Sequence, residues 1–187
     1  MSVKIVIDQI NQIFRDSFSK IPGAEIYGLS DLIQRKDNAG KLSYVPCVVT
    51  KDGQAKYVGF DDKTPLVIYH RLNTVNQIER VGSSYGDDRT DQISTYNNYM
   101  YIYGDRKFVG DQSELLELVE TNLPDSMDIS GYKGIVIRVT NVNFNALTII
   151  KGEYQGLIVT MRPERVFVQI YYQIETTFRK KCKERCA

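Results

Sequence analysis

Residues 166–179 read VFVQIYYQIETTFR. Val166, Val168, Ile170, Tyr172, Ile174, Thr176 and Phe178 alternate without a break against Phe167, Gln169, Tyr171, Gln173, Glu175, Thr177 and Arg179. A period of two belongs to a strand, because successive Cβ atoms leave a pleated backbone on opposite faces. At ~3.3 Å per residue, the span from Val166 to Phe178 reaches about 43 Å, far beyond the common strand of about five or six residues. One face is apolar enough to receive helices. The other mixes aromatic with polar groups, as suits a face that meets water or another subunit.

The partners of this strand are sought upstream. Val3, Val6, Ile7, Ile10, Ile13, Phe14 and Phe18 recur at three- and four-residue spacing, which predicts an amphipathic helix over residues 3–18 that covers a sheet face and stops at Pro22–Gly23. The polar stretch Asp31 to Lys41 reads as a loop. Tyr44 to Thr50 and Gln54 to Phe60 flank Lys51–Asp52–Gly53, and Asp-Gly between two apolar runs predicts a hairpin. Pro65 opens the run Leu66–Val67–Ile68–Tyr69. From Asn73 to Thr95 the chain turns polar around Gly82–Ser83–Ser84–Tyr85–Gly86–Asp87–Asp88. A loop or two-stranded arm of that length is uncommon in a compact domain and usually functional.

Asn98 to Tyr103 alternates again. Asp111 with Glu114 makes a capping-box start for a second helix, whose stripe is Leu115, Leu116, Val119 and Leu123 and whose stop is Pro124. Gly134 to Val142 and Ala146 to Tyr154 read as two more strands. The order predicts an α+β fold: an antiparallel sheet with two main helices on one face, plus a long arm or loop insertion at about residues 73–95. A single domain spans residues 1–178, followed by a basic tail over residues 179–187.

Composition narrows the chemistry. The chain has 187 residues, 42% hydrophobic and 25% charged, with a net charge of +1. A globular domain fits, and a strongly basic nucleic-acid binder does not. The charge is uneven: Arg179, Lys180, Lys181, Lys183 and Arg185 against Glu184 make the tail +4, while residues 1–178 hold 19 basic and 22 acidic groups, a net of −3. Such a tail can pair with phosphate or an acidic neighbour, or simply aid solubility.

His70 is the one histidine, so histidine-based catalysis and His-liganded zinc would have to run through it. Its place at the end of an apolar strand favours a structural or exposed role. Cys47, Cys182 and Cys186 with His70 match a Cys₃His zinc set in number only, because the spacing is poor. No cofactor or metal is expected. Asp87, Asp88 and Asp91 beside Arg89 lack the spacing of a calcium loop and read as a solvated or interfacial loop. No phosphate-binding, nucleophile-elbow or metalloprotease motif occurs, so no enzymatic activity is expected.

Three cysteines, an odd number, fit a reducing compartment. The start Met1–Ser2–Val3–Lys4 does not look like a signal peptide, no run approaches the ~18 apolar residues of a membrane span, and folding in a cytoplasm is expected. Thirteen Tyr against seven Phe and no Trp leave much aromatic area with a polar tip, the kind enriched at protein contacts. Tyr96, Tyr99, Tyr101 and Tyr103 beside the long polar arm, with Tyr171 on the last strand, line such a contact or cap sheet faces.

In its element order the chain resembles the tail-terminator and head–tail joining proteins of tailed bacteriophages. The features that carry the likeness are the N-terminal helix (Val3 to Phe18), the hairpin (Tyr44 to Phe60), a long excursion, the mid-chain helix (Asp111 to Leu123) and the closing strands through Arg165 to Glu175. Its Asn/Tyr/Ile-rich texture is similar to proteins of phages infecting Bacteroidetes, including the crAss-like group. The arm at 73–95 and the insertion before Tyr44 are longer than a minimal terminator needs.

The resemblance implies a non-enzymatic subunit of a 6- or 12-fold homo-oligomeric ring in the virion neck, assembled in the host bacterial cytoplasm. Its partners would be copies of itself, the portal and adjacent neck-ring or tail proteins, with genomic DNA passing through the lumen without sequence-specific binding and no membrane contact. Two complementary patches are expected to close such a ring: Tyr85, Asp87, Asp88, Arg89 and Asp91 of the arm, and the open face of Val166 to Arg179. A small nucleic-acid-binding or accessory interaction module is the alternative.

Overall fold

The computed structural model describes residues 3–36, 40–50, 53–58, 63–81, 89–129, 132–154 and 162–181, with the backbone alone over 74–81, 89–92, 132–133 and 178–181. The chain opens with α1 (Val3–Ser17), followed by β1 (Glu25–Lys36), β2 (Leu42–Val49), β3 (Ala55–Tyr57), β4 (Leu66–Val81) and β5 (Arg89–Asp105). Then come α2 (Arg106–Val109), α3 (Gln112–Asn122), β6 (Ser126–Ile129), β7 (Tyr132–Asn143), α4 (Ala146–Glu153) and β8 (Arg165–Lys181). The class is α+β, with one eight-stranded sheet in the order β3-β2-β1-β4-β5-β8-β7-β6.

Three long strands form the middle of the sheet. β8 pairs antiparallel with β5 in unbroken register from Asp105↔Arg165 to Arg89↔Lys181, and β5 pairs antiparallel with β4 from Leu66↔Gly104 to Val81↔Asp91. The alternation along β8 assigns its two faces. Val166, Val168, Ile170, Tyr172 and Ile174 join α1 (Val6, Ile7, Ile10, Phe14) and α3 (Leu115, Val119) in one buried cluster. Phe167 joins Val67, Tyr69, Tyr101, Tyr103 and, from α4, Ile149 and Ile150 in a second cluster on the opposite face. The helices therefore lie on both faces. The period of two along β8 and of 3.6 along α1 each sort apolar side chains to one side, and burial follows.

The sheet is mixed, which corrects the antiparallel expectation: β1 runs parallel to β4, with Glu25↔Val67 and Ile26↔Ile68 in register. The reason is topological. After β1 the chain makes the β2–β3 hairpin on the outer side of β1, then returns to start β4 at the end of the sheet where β1 started. Two strands that enter from the same end run parallel.

Two local readings are also corrected. Asp31 to Lys36, read as loop, is the second half of β1 and pairs with β2 from Ser30↔Val48 to Lys36↔Leu42. Its last residues are exposed, so no apolar alternation marks them. Ala146 to Tyr154, read as a strand, holds α4 and its C-cap Tyr154. The Asn145 side chain caps the start of α4 by accepting from Thr148 N at 3.1 Å. A short apolar run fits strand or buried helix equally by periodicity, and here the cap decides.

The β2–β3 hairpin closes through Thr50 N to Gln54 O (2.9 Å) and Gly53 N to Thr50 O (3.0 Å), although β3 has only three residues. At the start of α3, Asp111 Oδ1 accepts from Ser113 N and Glu114 N, and Glu114 Oε2 accepts from Asp111 N. That reciprocal box satisfies donors that a helix start otherwise leaves bare.

Candidate functional site

The register of β4, β5 and β8 builds the second sheet face in four rows: Val67–Tyr103–Phe167, Tyr69–Tyr101–Gln169, Arg71–Tyr99–Tyr171 and Asn73–Asn97–Gln173. The rows pass from apolar through aromatic to amide. The first two are buried, and the last two are half-buried. Each row lies two residues further along β4 and β8, toward Val81 and Lys181.

Tyr69 and Tyr101 stack at 4.9 Å between ring centroids, 11° from parallel. Tyr154, just past α4, stands edge-on to Tyr101 at 6.0 Å and shares a 2.5 Å hydroxyl–hydroxyl hydrogen bond with Tyr69. Gln169 Nε2 donates to Tyr101 Oη (3.0 Å) and Glu153 Oε1 (3.3 Å), while Tyr171 Oη donates to Gln169 Oε1 (2.9 Å). Arg71 pairs with Glu153 at the end of α4 and places its guanidinium 5.6 Å over the Tyr99 ring.

Tyr99 meets Tyr171 edge-to-face at 4.8 Å and accepts from Asn73 Nδ2 at 2.7 Å; Gln173 Nε2 donates to Asn97 Oδ1 at 2.8 Å. Burial pushes the hydroxyls of Tyr69, Tyr101 and Tyr154 above the ordinary phenol range. They stay protonated at neutral pH and serve as hydrogen-bonding groups.

A second polar group lies under α1. His70 is fully buried. Its Nε2 lies 3.0 Å from Asn11 Oδ1 and its Nδ1 2.8 Å from Tyr172 Oη. An amide oxygen only accepts, so Nε2 carries the proton and Nδ1 accepts from the Tyr172 hydroxyl. Burial lowers the imidazole pKa from 6.5 to about 3. The group ties α1 to β4 and β8, and His70 is structural. Sequence reasoning missed its partners. The available signal was Asn11, a polar residue within the Ile7–Ile10–Phe14 stripe that would otherwise be apolar.

The candidate contact residues fall into three groups. Tyr101 and Tyr103 are buried within the chain, so their ring area is already covered by its own side chains. Tyr99 and Tyr171 are brought together, half-buried, in the third row. Arg89 and Asp91, expected in the arm patch, lie in register with Lys181 and Arg179 of the same chain. Lys180 is paired in the same way with Thr90. Tyr85, Asp87, Asp88, Lys183 and Arg185 lie outside the described residues, as do Cys182 and Cys186. Cys47 is buried in β2.

Among the described residues no cluster of three His, Cys, Asp or Glu could hold a metal, and no helix is long and apolar enough to cross a membrane. No family model matches this chain. No curated protein matches it either. The case for a function therefore rests on geometry.

Proposed function

We propose that this chain is a structural virion protein: a subunit of a homo-oligomeric ring in the head–tail connector of a tailed bacteriophage, joining portal to tail around the DNA channel. The observation that carries the reading is the three-stranded ribbon. β4, β5 and β8 have 16, 17 and 17 residues, and β5 stays paired on both sides to its first residues. A strand of about six residues suffices to span a packed domain. Longer strands that remain paired offer a stiff surface for a neighbour.

Further support comes from the body itself. α1 and α3 share one cluster over the sheet, in keeping with the terminator-like order of elements, and the second face is locked by the Tyr–Gln–Arg–Glu network. A ring subunit that works by shape needs that rigidity. Its mildly acidic body also suits a conduit, because many phosphate contacts would hold the passing DNA through counterion release.

The test is cryo-electron microscopy of purified particles, with the chain's density sought at the vertex, beside light scattering of the isolated protein. Density at the neck is expected, and particles that contain the chain nowhere would overturn the reading. One observation favours a second reading, a nucleic-acid module: the register sets Arg89 beside Lys181, next to Arg179 and Lys180. That reading predicts salt-sensitive retention on DNA that is lost when residues 179–187 are deleted.

A further inference from the structure

The two faces of the sheet differ in how fully their buried polar atoms are paired. On the α4 face the hydroxyls and amides find partners within the chain: Tyr69 with Tyr154, Tyr101 with Gln169, and Gln169 with Glu153 and Tyr171. On the α1 face two atoms find none. Among the described residues, Asn11 Nδ2 and Asn98 Oδ1 are the buried side-chain nitrogen and oxygen without a hydrogen-bond partner, although Asn11 is 0% and Asn98 1% exposed.

The register sets both under α1. Asn98 lies opposite Leu72 on β4 and Tyr172 on β8. Residues two apart on a strand share a face, and Met100 belongs to the cluster under α1, as does Tyr172. Asn11 reaches that face from the helix, with Oδ1 3.0 Å from His70 Nε2, while His70 Nδ1 lies 2.8 Å from Tyr172 Oη. Tyr172 thus contacts the imidazole that holds Asn11 and is the register partner of Asn98. Turning the amides over does not help. Asn98 Nδ2 donates to Tyr96 O at 3.0 Å, so a turned Asn98 would set oxygen against oxygen. A turned Asn11 would leave its oxygen bare in place of its nitrogen.

A buried donor or acceptor without a partner costs the full desolvation of that group. The side chains that share this cluster, Ile10, Met100 and Ile170 among them, are apolar and offer no partner. What fits must accept from one amide and donate to the other. It must be neutral, because two amides, a phenol and an uncharged imidazole supply no charge to pair with a buried ion. It must also be small, because close-packed interiors hold few voids larger than a water molecule.

We infer that ordered internal water is built into the α1 face of the sheet, accepting a hydrogen bond from Asn11 Nδ2 and donating one to Asn98 Oδ1. The Tyr172 hydroxyl, whose proton goes to His70 Nδ1, keeps a lone pair for a further contact, and an internal water makes about three such bonds. Water then joins helix to sheet where Asn11 interrupts the apolar stripe of α1. This holds for the chain inside a ring or outside one.

Solvent-deuteron relaxation dispersion of the full chain tests it, because the amplitude counts waters held inside a protein for longer than it takes to tumble. Asn11→Leu and Asn98→Leu are each expected to keep their far-UV circular dichroism and to lower the amplitude by at least one long-lived water per chain. Gln9→Leu, on the exposed side of α1, should leave it unchanged. An unaltered amplitude in either asparagine variant that keeps its fold overturns the inference. A crystal structure of the wild-type chain gives a readout that needs no variant. Water density within hydrogen-bond distance of both Asn11 Nδ2 and Asn98 Oδ1 supports the site, and either atom enclosed by carbon alone overturns it.

Discussion

Acidification should destabilise this protein through one residue. His70 is the single histidine of the chain, it is fully buried, and burial lowers its pKa from 6.5 to about 3. Between those values the unfolded chain binds a proton that the folded chain refuses, so folding stability falls as pH falls. The contribution is complete above 6.5 and is lost as pH drops toward about 3. The slope approaches about 1.4 kcal/mol per pH unit, and integration from neutral to about pH 5 gives a loss of about 2 kcal/mol. That is a sizeable share of a domain stability of about 5–15 kcal/mol.

Urea unfolding across that pH range measures the loss, and nitrogen-15 spectra of the sole imidazole give its tautomer and titration. The Nε2–H tautomer should persist to about pH 5. His70→Gln should lower stability at neutral pH yet flatten its pH dependence over the same range. An imidazole that titrates near its ordinary value would sink this account of His70, as would an equally steep slope in His70→Gln.

Other expectations follow from single contacts. Tyr154→Phe strands the buried Tyr69 hydroxyl and should cost about 1–3 kcal/mol in chemical unfolding. Gly110 sits at φ +74°, where an added Cβ would run into the Glu114 side chain; Gly110→Ala should therefore cost at least about 1–2 kcal/mol, more than the ~1 kcal/mol of Asp111→Ala, which removes only a cap. Glu153→Gln breaks the pair with Arg71 at side chains 20% and 24% exposed. Between the values for open and buried pairs, a loss of about 1–2 kcal/mol is expected, with reduced salt sensitivity of unfolding. Phe14→Ala empties a fully buried site under α1 and should lower stability by about 3–5 kcal/mol.

The chain reports its local structure wherever one period dominates. Val166 to Phe178 alternates because both of its faces are built into the sheet, and Val3 to Phe18 keeps its stripe because α1 buries one side and wets the other. The capping box at Asp111 and Glu114 is legible because it is made within four residues. The misread segments are those where period and burial part company. Asp31 to Lys36 is strand through pairing with β2 while Asp31 and Gln34 to Lys36 stay exposed, and Ala146 to Glu153 is too short and too apolar to declare itself. In the candidate site, Tyr99 and Tyr171 were visible as aromatic residues. Their row with Arg71, and the reach of Glu153 across 82 residues to Arg71, were not.

Local signals suffice for the α+β class, the long last strand, the first and third helices and the hairpin, because hydrophobic periodicity, caps and turn residues act over a few neighbours. Long-range packing alone set β1 parallel to β4, put helices on both faces, buried His70 between Asn11 and Tyr172, and paired the start of β5 with the end of β8. Those outcomes depend on register and on contacts between residues far apart in the chain. A polar strand or a lone histidine carries no mark of the partner that folding will bring to it.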